Sequence, residues 1–255
     1  MSEPLDRAPA VSLPFRDRFL LLVQREIGRL VAPIAIPAIF GILRWRRYRI
    51  AGRDAVRAEY RRIRREHRGP LLVCANHLTR IDSILVAWAL GSAPWLVTHF
   101  ASAPWNMPER RRYGSRFEAF LVYVLKCIPI LRGGDRALIG RALDRFTWLL
   151  TRREVGLLFP EGGRSRTGRV DVENATYGVG RILGQLPGAR VLCVYLRGAK
   201  QGTWSDAPTR GDTFHVELAL IEPRSEATGL RAARDLSLAI VGKLAEMEAR
   251  PLGGT

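Results

Sequence analysis

The sequence predicts an α/β protein: a single domain with a largely parallel, twisted sheet flanked by helices, preceded by an N-terminal membrane-associated helical segment. Three observations predict it. From residue 71 onward short apolar runs alternate with longer helix-like segments, the order that lays strands side by side and helices on the sheet faces. The 255 residues, 47% of them hydrophobic, suffice for one such domain with a full core. The first 45 residues differ in kind, since they carry an uncharged run that ends in a basic cluster. The boundary is therefore placed between a segment of residues 1–45 and a body of residues 46–255.

In the N-terminal segment Phe19 to Val23 is apolar, Gln24-Arg25-Glu26 interrupts, and no charge falls between Leu30 and Leu43. That run of 14 residues contains Pro33, Pro37 and Gly41. It is shorter than the roughly 18 to 20 residues that a spanning helix needs. Arg44-Trp45-Arg46-Arg47-Tyr48-Arg49 follows at once, a basic cluster with interfacial aromatics. An element that enters one leaflet and returns, or lies in the interface, is expected. The alternative is a helical hairpin packed on the body in water. Residues 1 to 14 open polar, with Glu3 and Asp6, so no cleaved targeting segment is expected.

Along the body, Tyr48 to Asp54 is strand-like and Asp54 to Arg68 reads as a basic helix, with Asp54 as N-cap and Gly69-Pro70 as its stop. Its arginines face either lipid headgroups or plain solvent. Strands are expected at Leu71–Ala75, Trp95–Phe100, Ile128–Leu131, Val155–Phe159 and Val191–Leu196. Helices are expected at Ile81–Leu90, Glu109–Lys126, Arg136–Thr151 and Tyr177–Leu186. Phe214, Val216, Leu218 and Leu220 alternate with polar or small residues, the pattern of a half-exposed edge strand. Leu230 to Met247 closes the body as an amphipathic helix.

The formal charge is +17, carried by 38 Arg and only three Lys. Codon bias accounts for Arg over Lys but not for the excess of positive charge, which suits anionic lipid, a phosphate-bearing substrate or an acidic carrier protein. Nucleic acid is not expected as a partner, because zinc spacing, a basic-zipper register and an aromatic-glycine strand signature are all missing from the sequence. Cys74, Cys127 and Cys193 stand far apart in apolar stretches, as reduced core residues of a cytosolic compartment do.

Two loops carry the chemistry. Asn76-His77-Leu78-Thr79-Arg80-Ile81-Asp82 leaves the run Leu71–Ala75, and places a candidate base, His77, five residues before a carboxylate that can orient it. Phe159-Pro160-Glu161-Gly162-Gly163-Arg164-Ser165 leaves the run that begins at Val155, and offers a carboxylate, a guanidinium and close-approach glycines. Because His77, Arg132 and Glu161 all lie just past apolar strands, they can converge.

These blocks, in this order, resemble the glycerolipid acyltransferases, whose best-known members are the 1-acyl-glycerol-3-phosphate acyltransferases. Asn76-His77 to Asp82 matches the first motif of that family, with Thr79 where Ser or Thr is usual. Phe159 to Ser165 matches the third, with Gly163 in place of Thr. Ile128-Pro129-Ile130-Leu131-Arg132 is similar to the second, and Val191 to Gly198 to the fourth, with Cys193 at its proline. The resemblance runs from about residue 48 to about residue 198. It implies transfer of an acyl group from a thioester, acyl-CoA or acyl carrier protein, to a lysophospholipid hydroxyl, with no other cofactor. His77 and Asp82 are then the catalytic pair. Arg132, Glu161, Gly162, Arg164 and Ser165 bind substrate, the two arginines taking the acceptor phosphate. Arg136 and Arg166 are second-tier candidates.

His67, His99 and His215 have no motif context and read as surface or core residues; Trp95, Trp105 and Trp148 read as core or interface. The block from Ala103 to Arg110 departs from the Lys-rich stretch common in the family, so another lysophospholipid, a lyso-aminolipid or a specialised acceptor stays open beside 1-acyl-glycerol-3-phosphate. The enzyme is expected to be peripheral or monotopic on the cytoplasmic face of the cell membrane, with an anionic membrane surface as partner.

Overall fold

The computed structural model describes residues 11–110, 115–131 and 133–250. Its centre is a strand that water never touches. Leu71–Ala75 (β2) is buried along its whole length, so both faces of the sheet must be covered. Leu71, Val73 and Ala75 face a core shared with Tyr60, Leu85, Leu96 and Phe40; Leu72 and Cys74 face a second core with Phe146, Ile182, Ile240 and Leu244. One layer of helices therefore lies on each side. The first comprises Phe15–Trp45 (α1), Arg53–Glu66 (α2), Asp82–Leu90 (α3) and Ala93–Thr98 (α4). The second comprises Arg136–Thr151 (α6), Tyr177–Gly184 (α7) and Gly229–Glu248 (α8). Arg116–Val124 (α5) packs against α1.

The sheet runs β1-β6-β5-β2-β4-β3, with Arg49–Ile50 as β1, Trp105–Asn106 as β3, Val155–Leu158 as β4, Arg190–Gly198 as β5 and Thr213–Ile221 as β6. It is mixed, which corrects the expectation of a largely parallel sheet. β2 pairs in parallel with β4 and β5, but β5 and β6 pair antiparallel over the longest register in the fold, Val191↔Ile221 to Gly198↔Phe214. The chain turns back through residues 199–212 instead of crossing the sheet by a helix, and a hairpin-like return reverses the strand. Alternation in β6 marks a strand with one open side, which it has beyond the two residues that β1 covers, but alternation carries no information about direction.

Three elements differ from expectation. Trp95–Phe100 is helical, because Ser92 Oγ accepts from Trp95 N at 3.4 Å and Pro94 sits in the first turn, a helix start rather than a strand. The strand on that side forms at Trp105–Asn106. Ile128–Leu131 makes only isolated bridges, Asn106↔Cys127 before it and Glu109↔Ile130 within it, since Pro129 has no amide to give a ladder. The helix expected from Glu109 begins at Arg116, where Ser115 and Glu118 form a reciprocal capping box.

α1 also departs from its expected form. It is one helix of 31 residues that runs through Pro33 and Pro37, both on its exposed side, with no return. One face (Leu21, Gln24, Gly28, Ala32, Phe40, Leu43) is buried against the body. The opposite face exposes Leu30, Ile34, Ile42 and Trp45. By length and composition this helix could cross a membrane, although 28% of its apolar window is buried inside the protein.

Candidate active site

The site is built from the end of β2. Where the strand stops, the Asn76 side chain continues its ladder: Nδ2 donates to Leu196 O at 3.0 Å and Oδ1 accepts from Leu196 N at 2.8 Å. The next residue, His77, is thereby fixed beyond the edge of the sheet. Its ring stacks on Phe159, which follows β4, with centroids 4.0 Å apart and planes 17° from parallel.

Asp82 opens α3, where the helix dipole favours a carboxylate. Its Oδ2 lies 2.9 Å from His77 Nδ1 and accepts from the amides of Leu78 at 2.6 Å and Thr79 at 2.7 Å. Oδ1 accepts from the Thr79 hydroxyl. An ionised carboxylate can only accept, so His77 presents Nδ1–H to it and leaves Nε2 with a free lone pair. The His77 side chain is 14% exposed and that of Asp82 3%, so the imidazole is the group a substrate can reach.

The second loop folds over the first. Gly162 has a φ of +69°, and a Cβ there would come within 2.2 Å of Thr176 Cγ2. Glycine is required, and the tight turn it allows, closed by Gly162 N to Phe159 O at 3.0 Å, directs Glu161 inward. Glu161 Oε1 accepts from His77 N at 3.4 Å and Oε2 from Asp171 N at 3.1 Å. Burial pushes the Glu161 carboxyl up to about 7, only partly offset by those two amides. Ser165 N donates to His77 O at 2.9 Å, while its hydroxyl donates to Arg169 O. Glu161 and Ser165 thus hold both backbone ends of His77.

Arg164 points to a third segment. Its Nη1 donates to Asp206 Oδ1 at 2.8 Å and to Ser205 O at 3.2 Å, and the guanidinium lies 4.8 Å from the Trp204 ring centroid. That segment is anchored to the His77 turn by Ser205 N to Leu78 O and Arg80 N to Asp206 O. The structure therefore brings His77, Asp82, Glu161, Gly162, Arg164 and Ser165 together; Arg132 lies outside the described residues. Residues 204–206, Asp171 and the ring of Phe159 were not foreseen. The first group comes from the β5–β6 connection, which has no motif, whereas the Phe159 ring was visible as the first residue of its block.

An apolar cavity of about 320 Å³ lies between α1, α3 and α5. Ala32, Ile36 and Phe40 form one wall and Ile84 and Ala87 another; Arg80 and Ser83, close neighbours of Asp82 in the chain, also line it.

The family model described as Acyltransferase matches residues 47–197, which enclose both loops and the strands that carry them. The chain belongs to the acyltransferase family. Comparison with curated proteins gives no match. As an acyltransferase the protein works with an acyl donor and a lipid acceptor.

Proposed function

We propose that this acyltransferase moves a fatty acyl group from an acyl thioester, acyl-CoA or acyl carrier protein, to the hydroxyl of a lysophospholipid, with 1-acyl-glycerol-3-phosphate as acceptor and His77 as general base. The reading rests on the 2.9 Å contact between His77 Nδ1 and Asp82. Nε2 takes the hydroxyl proton as the acceptor oxygen attacks the thioester carbonyl. The carbon–sulfur bond then breaks, and the imidazolium returns the proton to the leaving thiolate. Gly163 N has no hydrogen-bond partner among the described residues, so it remains a donor candidate for the intermediate oxyanion. The cavity supports the acyl-chain part of the reading, because its walls are largely alkyl side chains. Arg132 and Arg164 are assigned to the acceptor phosphate; a phosphate at Arg164 would displace Asp206, whose side chain is 70% exposed. The reaction so written uses no cofactor besides the thioester.

Transfer to 1-acyl-glycerol-3-phosphate, followed by mass spectrometry of the product, tests it. His77→Ala should keep the circular dichroism spectrum and lose at least about 100-fold in rate. More than a tenth of the wild-type rate in that variant would remove His77 as the base. Transfer only to a lyso-aminolipid or another acceptor would keep the base and replace the acceptor.

The same reading places the enzyme as a monotopic or peripheral protein on the cytoplasmic face of the membrane, with residues 1–45 as the membrane segment and residues 46–255 as the catalytic domain. Support comes from the exposed apolar face of α1, Leu30 to Trp45, next to Arg44, Arg46 and Arg47. Ile34 is 77% exposed, and burying such a side chain in lipid is worth about 1.5 to 3 kcal/mol. Ile34→Gln should therefore weaken sedimentation with anionic vesicles by roughly tenfold or more, and salt should weaken it further without abolishing it. Unchanged sedimentation would show that this face does not enter lipid.

A further inference from the structure

A second concentration of chemistry lies at the end of the sheet opposite His77. His77 follows the C-terminal end of β2; Arg68 precedes its start, and Arg153 precedes the start of the parallel neighbour β4. Between them α1, α2 and α4 enclose a cleft of about 630 Å³. α2 contributes Arg61, Arg64 and Arg65, spaced three and one residues apart so that they reach the same side of its last turns, and the turn between α2 and β2 contributes Arg68. α1 contributes Arg25 and Arg29, and the turn before β4 contributes Arg153.

Among the described residues no Asp or Glu lines this cleft. Glu154, behind Arg25 at 2.9 Å, is already shared with Lys126 at 2.6 Å. Glu26 meets Arg25 at 3.4 Å and Arg29 at 3.9 Å from the rim. Glu59 and Glu66 both pair with Arg62. Arg61, Arg65, Arg68 and Arg153 have no carboxylate partner among the described residues. Arg64 is held in place, donating from Nε to Ser102 Oγ at 3.1 Å and from Nη2 to Arg153 O at 3.0 Å. Guanidiniums crowded this way repel one another, and an anion placed among them turns that repulsion into attraction.

The shape of the cleft selects the anion. Planar forks on several sides suit groups with several oxygens each, and seven of them exceed what one carboxylate can engage. On the aromatic wall Trp95 is covered by His99, stacked at 4.9 Å, and by Arg61 at 5.5 Å, so no open ring face awaits a base. We propose that this cleft binds a compact polyanion with two or more neighbouring phosphates, at a site separate from acyl transfer. Such phosphates belong either to a soluble ligand or to a lipid headgroup, and the chemistry recognised is the same.

Calorimetric titration of the detergent-solubilised full chain with inorganic pyrophosphate at low salt tests the site. A double variant, Arg65→Gln with Arg68→Gln, removes two exposed forks whose side chains hydrogen-bond to nothing among the described residues. A control, Arg231→Gln with Arg234→Gln on α8, removes the same charge from an exposed face elsewhere. Loss of charge-assisted contacts should weaken pyrophosphate in the first variant by at least about tenfold and leave the control near wild type. In a parallel arm both variants are sedimented with phosphatidylcholine vesicles with and without cardiolipin. Loss of cardiolipin preference in the first variant alone, with pyrophosphate unbound by the wild type, assigns the phosphates to a headgroup. Equal effects of the two variants, or no effect in either arm, overturn the proposal. Because neither pair touches His77 or its neighbours, failure here is distinguishable from failure of the acyl-transfer reading, which His77→Ala tests.

Discussion

Asp82 and Glu154 are buried to nearly the same degree, 2% and 1% exposed, yet they are served in opposite ways. Asp82 takes its hydrogen bonds from Leu78, Thr79 and His77, all within five residues and all uncharged when the imidazole is neutral. Glu154 takes two basic groups, Arg25 from α1 and Lys126 from the turn after α5, whose ammonium pKa burial lowers to about 8, together with Trp105 Nε1 at 2.9 Å from β3. Lys126 in turn donates to Phe100 O at 2.9 Å and Ala103 O at 2.5 Å. Glu154 thus keeps Arg25 as a standing partner and ties distant elements together. Among the described residues Asp82 has no permanent cation, so if His77 acts as the proposed base, the positive charge it takes up meets a negative charge that no other side chain cancels. In the proposed mechanism the first carboxylate stabilises a transient charge, whereas the second holds the fold.

The sharpest way to break that contrast is at Asp82. Asp82→Asn keeps one acceptor atom and turns the other into an amide that must face donors, so both the tautomer of His77 and the charge balance are lost. Transfer should fall by at least about 100-fold, approaching the His77→Ala level, with the far-ultraviolet spectrum retained. A fall smaller than tenfold would mean that the imidazole does not depend on Asp82.

The complementary change is Lys126→Met. Breaking a buried pair from one side typically costs about 3 to 5 kcal/mol, and Arg25 remains to offset part of that. The urea midpoint should drop accordingly, whereas transfer per folded molecule should change far less than in Asp82→Asn. The thioether leaves two backbone carbonyls without their donor, which adds to the loss. An unfolding free energy within about 1 kcal/mol of wild type would show that the network contributes no net stability, as some buried pairs do not.

The same contrast explains what could be read from the chain. Asp82, His77 and Thr79 were legible because their partners sit in one turn, and a short motif records short-range geometry. β2, α6 and α8 were legible because periodicity records burial. The Glu154 network was not, since Arg25, Trp105 and Lys126 become neighbours only when four elements pack. The antiparallel return of β6 was equally hidden, because Phe214 to Leu220 alternate identically in either direction. Glu161 and Ser165 stood out in the sequence as candidates, while their hydrogen bonds to the backbone of His77 required the two loops to be seen together. Trp204, Ser205 and Asp206, which face Arg164, lie in a connection without periodicity or motif.

The smallest expected effect tests whether the second loop works through the first. Gly162→Ala introduces one methyl group at a φ of +69°, a conformation that costs an L-residue about 1 to 2 kcal/mol, and drives it against Thr176 Cγ2. Thr176 is itself fixed, with its amide and hydroxyl both donating to Pro160 O at 2.8 and 3.0 Å, so it cannot turn aside without losing a bond. The turn must open, and the residue displaced first is Glu161, next in the chain and bonded to the amide of His77. The expected result is a modest drop in the urea midpoint and a rate loss that exceeds it, because a shift in His77 alters its reach toward the acceptor hydroxyl. In Thr176→Ser the γ-methyl is absent and the hydroxyl is kept, so Gly162→Ala made in that background should recover part of the rate. If Gly162→Ala lowers stability but leaves the rate intact, the glycine serves only its own turn, and positioning of His77 rests on Asp82 and Phe159.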